Sequence, residues 1–136
     1  MIGGNGPRRT LPLVARFASE WNATFLSRTK FAELNAQLDE LMGANGRLPG
    51  AVRRSMMLGT LFGRDEAEMA RKANGRDLAD LNEHGVVGGP PAAAVEHLGR
   101  LAQAGVQRVM LQWLDLDDLD GIELLARSVL PQLAGA

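Results

Sequence analysis

The chain has 136 residues, enough for one domain with a substantial core. Fifteen Lys and Arg against 16 Asp and Glu leave a formal charge of −1, and aromatics are 4% with no tyrosine. Neither the basic surface nor the stacking platform of a nucleic-acid binder is therefore present. The lack of cysteine excludes disulfides and thiolate metal sites, and no apolar run approaches the ~20 residues that cross a bilayer.

The chain opens on Ile2-Gly3-Gly4-Asn5-Gly6-Pro7-Arg8-Arg9-Thr10-Leu11. Three glycines in four positions permit positive φ angles and leave the backbone open to a ligand. Pro7 suits a first helical position, and Leu11, Val14, Ala15 and Ala18 recur with helical spacing, which predicts a helix over 7–19. A glycine loop feeding a helix N-terminus offers free N–H groups and a positive dipole end to an anion such as phosphate. Such loops ordinarily follow a β-strand. With only Met1 and Ile2 ahead of it, the chain is expected to begin in mid-fold.

Residues 20–25 carry Trp21, Thr24 and Phe25 and read as a short strand. Ser27 or Thr29 then caps a helix over 29–44, whose stripe is Phe31, Leu34, Leu38, Leu41 and Met42. Leu48-Pro49-Gly50 is a turn. Residues 52–62 form a nearly continuous apolar run, as in a strand buried on both faces of a parallel sheet. Asp65 caps a helix over 66–73, a further helical turn spans 77–83, and Gly85–Pro91 is a loop with two extended valines. A helix begins at Pro91 and stops at Gly105, and residues 106–113 are the strongest strand pattern in the chain. Asp115, Asp117, Asp118 and Asp120 crowd the start of a last helix, with Ile122, Leu125, Ala126, Val129 and Leu133 as its buried face and Pro131 inside the pattern. Three strands alternating with helices predict an α/β fold of parallel βα units with right-handed crossovers.

Few side chains point to chemistry. His97 beside Glu96 reads as a surface residue, and His84 before Gly85 as a helix-end residue. No His/Asp/Glu group has metal-ligand spacing, and the aspartate cluster lacks the glycine and terminal glutamate of a calcium loop. Met56, Met57 and Met110 read as strand core. Trp113 lines a barrel mouth or lids the core. No G-x-S-x-G occurs, so a hydrolase is unsupported.

Residues 2–11, followed by Ala15-Arg16-Phe17-Ala18-Ser19-Glu20-Trp21-Asn22, resemble a segment of the luciferase-like monooxygenase family, in its branch that uses the deazaflavin coenzyme F-420. Gly88-Gly89-Pro90-Pro91, Val95-Glu96-His97-Leu98, Ala104-Gly105-Val106 and Val109-Met110-Leu111-Gln112 resemble the helix and last strand of the same enzymes. The resemblance covers essentially the whole chain, 1–136, and implies the C-terminal half of a (β/α)8 TIM barrel with the N-terminal half absent. It implies that the glycine loop follows the fifth strand and holds the cofactor's phosphate-bearing tail through Gly3, Gly4, Asn5 and Gly6, with Arg9 and Thr10 as further candidates. The implied chemistry is hydride transfer between coenzyme F-420, or FMN as the alternative, and an organic small-molecule substrate. No catalytic acid or base is identified, and activity in isolation is not expected. The rival expectation is a non-catalytic half-barrel that dimerises or binds a complementary N-terminal half. In either case the expected setting is the cytoplasm, with no nucleic-acid or membrane partner.

Overall fold

A computed structural model describes residues 1–133 of the chain. Five parallel strands carry the fold: β1 (Ile2–Gly3), β2 (Glu20–Thr24), β3 (Arg53–Phe62), β4 (Val86–Gly89) and β5 (Arg108–Gln112). The helices are α1 (Thr10–Phe17), α2 (Arg28–Ala44), α3 (Glu66–Ala73), α4 (Leu78–Glu83), α5 (Pro91–Gln103), α6 (Leu119–Ser128) and α7 (Leu130–Leu133), with a 3-10 turn at Pro49–Ala51. The α/β alternation expected from the sequence is present.

β3 is the axis of the sheet. Its first half pairs with β2 on one edge and β5 on the other, in register Asn22↔Ser55↔Arg108. Beyond Met57 the β2 edge continues as β4, because the Met57 carbonyl accepts from the Phe25 N–H and the Gly59 N–H donates to Gly85, both on that side. Side by side, the principal strands thus run β1-β2-β3-β5.

One face of the sheet is covered by helices. Trp21 stacks on Phe31 of α2 with ring centroids 5.3 Å apart, and Met56, Leu58, Leu38 and Val14 are fully buried around them. The same layer holds the Arg54 guanidinium, which donates to Asn35, to Asp39 and to the carbonyls of Pro49 and Val52. Burial would penalise that charge, and the four acceptors keep it satisfied. Arg47 donates to the carbonyls of Val14, Ala15 and Ala18, tying the end of α1 to the end of α2. Ser27, rather than Thr29, caps α2, and Asp65 caps α3.

Among the described residues, no helix covers the other face. Glu20, Arg53, Arg108 and Gln112 stand on it, with Arg108 3.3 Å from Glu20 across β3. Asn22 donates to Ser55 Oγ at 3.0 Å, and Ser55 donates to the Trp21 carbonyl at 3.1 Å.

Several expectations are corrected. The strands number five rather than three: β1 and β4 are two and four residues long and glycine-rich, and only ladder pairing makes them strands. α1 starts at Thr10, not at Pro7, because residues 7–9 form a turn and Leu11 is the first N–H to reach back, to Gly6. The last helix breaks at Val129 into α6 and α7, with Pro131 in the short second piece. Of its expected buried face only Val129 is buried, and Ile122 is 41% exposed. His97 is not a surface residue: it is 6% exposed, on the inner side of α5.

Candidate functional site

In a parallel βα sheet the chemistry gathers where the strands end and the loops begin. Here that rim is formed by the glycine loop after β1, the turn after β2, the ends of β3 and β4, and the segment after β5.

The glycine loop is held from both sides. Gly4 has φ +115°, donates to the Asn22 carbonyl at 2.9 Å and accepts from Trp21 Nε1 at 2.9 Å. The Asn5 side chain makes two hydrogen bonds with one residue: its Nδ2 donates to the Thr24 carbonyl at 2.7 Å, and its Oδ1 accepts from the Thr24 N–H at 3.0 Å. Asn5 therefore pins the loop to the end of β2 and has little side-chain capacity left for a ligand. Gly6 packs against Thr10, so that a Cβ there would sit 2.9 Å from the Thr10 hydroxyl. Arg9 is exposed and makes no side-chain cap at the start of α1. Among the described residues, the N–H groups of Asn5, Gly6, Arg8, Arg9 and Thr10 find no acceptor. The structure thus brings Gly3, Gly4, Asn5, Gly6, Arg9 and Thr10 into one loop. It gives Asn5 the part of a clamp, and Gly4 a conformation open to glycine and strained for other residues.

Phe25, which sequence reasoning took as a strand residue, has φ +51° and is 41% exposed. A left-handed conformation costs a bulky residue roughly 1–2 kcal/mol. It is fixed by the bond from its N–H to Met57 and by Gly85, where a Cβ would come within 2.4 Å of the Phe25 backbone. Strain of this kind is concentrated at binding rims.

At the ends of β3 and β5 lies a cavity of about 200 Å³ lined by Thr60, Phe62, Lys72, Trp113, Asp115 and Asp118 among others. Lys72 donates to Asp118 at 2.6 Å and to the Phe62 carbonyl at 2.9 Å, while Asp118 caps α6 through the Gly121 N–H. The Arg64 N–H and guanidinium hold the Glu68 carboxyl down to about 2, with Lys72 3.6 Å away adding to the effect. Thr60 Oγ1 is buried without a partner beside this cavity. Trp113 is half-buried; it lines this cavity and packs against the core. Lys72 and Thr60 escaped sequence reasoning because only the sheet brings them to β5. Among the described residues no acidic or histidine cluster is arranged to hold a metal ion. No helix of the structure is long and apolar enough to cross a membrane.

No protein-family model matches the chain, and no curated protein matches its sequence. Solved structures do match. The coenzyme F-420-dependent tetrahydromethanopterin reductase from Methanopyrus kandleri superposes with a TM-score of 0.77 at 16% identity, over 95% of this chain and 49% of that one. The EDTA monooxygenase from Chelativorans sp. BNC1 gives 0.78 at 16% identity, over 98% and 43%. An F-420-dependent secondary alcohol dehydrogenase, solved with an F-420–acetone adduct, gives 0.74 at 13% identity, over 96% and 47%. At these identities it is the fold that is shared. The chain spans under half the length of these luciferase-like barrel proteins, in agreement with the half-barrel expected from the sequence.

Proposed function

We propose that this chain is the C-terminal half of a luciferase-like oxidoreductase barrel, and that its glycine loop holds the phosphate-bearing tail of coenzyme F-420 or, alternatively, FMN. One observation carries the reading: a run of unpaired N–H groups from Asn5 to Thr10 at the mouth of α1, on a loop clamped by Asn5 and Trp21. That arrangement fits a phosphate, which takes backbone donors at a helix N-terminus without displacing any existing bond. The neighbours' dependence on F-420, and the modified FMN in a similar riboflavin lyase, support the choice of cofactor class.

When bound, such a cofactor accepts or donates a hydride with an organic substrate. The chain's own part is to bind and orient. Gly4 keeps side chains off the approach, the N–H row and Arg9 neutralise charge, and the Thr10 hydroxyl stands at the helix start. No residue of this chain is assigned as acid or base, and activity of the half alone is not expected.

A second reading, a non-catalytic half-barrel completed by further strands, is favoured by the open outer edge of β5. The discriminating experiment is a thermal melt by circular dichroism, alone and with excess F-420 or FMN. A ligand at ~100 times its Kd adds about 2.7 kcal/mol to a folded binder, a shift of several degrees at this size. The shift should shrink in Asn5→Ala, whose loop is unpinned. A cooperative melt that neither cofactor moves would reject the phosphate-loop reading.

A further inference from the structure

We propose that two copies of this chain pair edge to edge, β5 of each running parallel to β1 of the other, and close an eight-stranded barrel around a two-fold axis. The inference rests on the second reading above, that further strands complete the sheet, and names the partner as a second copy.

Geometry comes first. Four strands stand side by side in the order β1-β2-β3-β5, half the number that closes a (β/α)8 barrel. The odd residues of β3 bond to β2, so its even residues bond to β5, and in the register Met56↔Val109, Leu58↔Leu111 their partners in the parallel ladder are the even residues of β5. The N–H and C=O groups of Val109 and Leu111 therefore point outward, and among the described residues nothing pairs with them. Gly3 is the corresponding outward residue of β1, since the Gly4 N–H is the one bonded to β2. An unpaired edge of this kind is a template for another strand.

The apolar surface is distributed in the same way. Eight of the ten exposed large apolar side chains belong to the two edge units, including Leu13 and Phe17 on α1 and Leu114, Leu116, Leu119 and Leu130 after β5. The central units leave only Phe25 and Leu48 exposed. Beside the open edge of β5, in the helical layer, runs an apolar groove of about 410 Å³ between α5 and α6–α7, lined by Leu98, Val109, Leu111, Leu125 and Val129 among others. Parallel pairing of β5 with a partner's β1 brings the partner's α1, in that same layer, to the groove.

Charge selects the occupant. Residues 1–19 carry Arg8, Arg9 and Arg16 and no acid, whereas residues 113–133 carry Asp115, Asp117, Asp118, Asp120 and Glu123 against Arg127 alone. Arg8 and Arg9 follow the C-terminal end of β1, and Asp115 and Asp117 follow that of β5. Parallel pairing therefore sets basic and acidic loops on one rim, where a second copy supplies the complement to both edges at once. Because the two contacts are identical and the ring closes after two copies, assembly stops at the dimer.

The test is the solution mass of the full chain by light scattering and sedimentation at micromolar concentrations, with three variants. Twice the chain's 14.6 kDa is expected, with dissociation favoured by added salt. Arg8→Glu or Asp117→Arg alone should raise the dimer Kd about tenfold, and the double variant should restore it. Leu111→Pro removes an outward N–H from an edge strand and should give a monomer with unchanged helical dichroism. If that variant unfolds, the charge-swap pair still decides the matter. A wild-type monomer at all concentrations would overturn both the inference and the reading that a second copy closes the sheet. A dimer indifferent to the swaps and to Leu111→Pro, or open-ended polymers, would overturn the inference alone.

Discussion

His97 shows how a single side chain is misjudged when only its neighbours in sequence are known. Beside Glu96 and ahead of Arg100 it looks solvated, yet α5 turns it inward and leaves its Nδ1 buried without a partner. Burial, reinforced by the Arg100 charge and opposed by Glu83, pushes its pKa below the ordinary histidine value. The unfolded chain then takes up a proton near pH 6.5 while the folded chain resists it, so stability is lost as pH falls below that value. The midpoint of urea unfolding should decline from pH 7 to pH 5, and His97→Gln should flatten that decline. An equal slope in the variant would place the pH sensitivity elsewhere. Gly85 is a second case. It looks like an ordinary loop glycine, but with φ +72° and the Phe25 backbone against it there is no room for a methyl group. Gly85→Ala should cost roughly 3 kcal/mol in denaturant unfolding, through overpacking and an incompatible backbone angle together. A loss within experimental error would show that Phe25 is not held from that side.

Elements were legible to the extent that their own residues determine them. The stripe of α2 and the long run of β3 could be read directly because burial is written in their periodicity, and both lie where expected. β1 and β4 could not be read so, since Ile2-Gly3 and Val86-Val87-Gly88-Gly89 have almost no side-chain signal and become strands only by pairing with β2 and β3. α6 failed in the opposite direction. Its amphipathic spacing is real, but only Val129 is fully buried, Leu125 and Leu133 pack against the core in part, and Ile122 stands 41% exposed. The candidate site divides likewise. The glycine loop announced itself through composition, but the use of Asn5 as a clamp on Thr24 and the left-handed Phe25 depend on the register of β1, β2 and β3.

For the molecule as a whole, stability should be graded from the centre of the sheet outward. β3 is paired along both edges and contributes Met56, Leu58 and Phe62 to the core, while β1 offers two residues to the ladder and β5 is bonded on one side only. Local opening follows contact and ladder density, so amides of β3 and the facing side of α2 should exchange near the global unfolding free energy, and those of β1, α1, α6 and α7 well before it. Hydrogen exchange followed by mass spectrometry would map this directly. Whatever occupies a free edge must also slow its exchange: a phosphate ligand protects residues 4–11, whereas strand pairing protects Val109 and Leu111, whose N–H groups face outward. Edge amides as slow as those of β3 in the isolated monomeric chain would contradict the gradient, because among the described residues no bond is available to protect them.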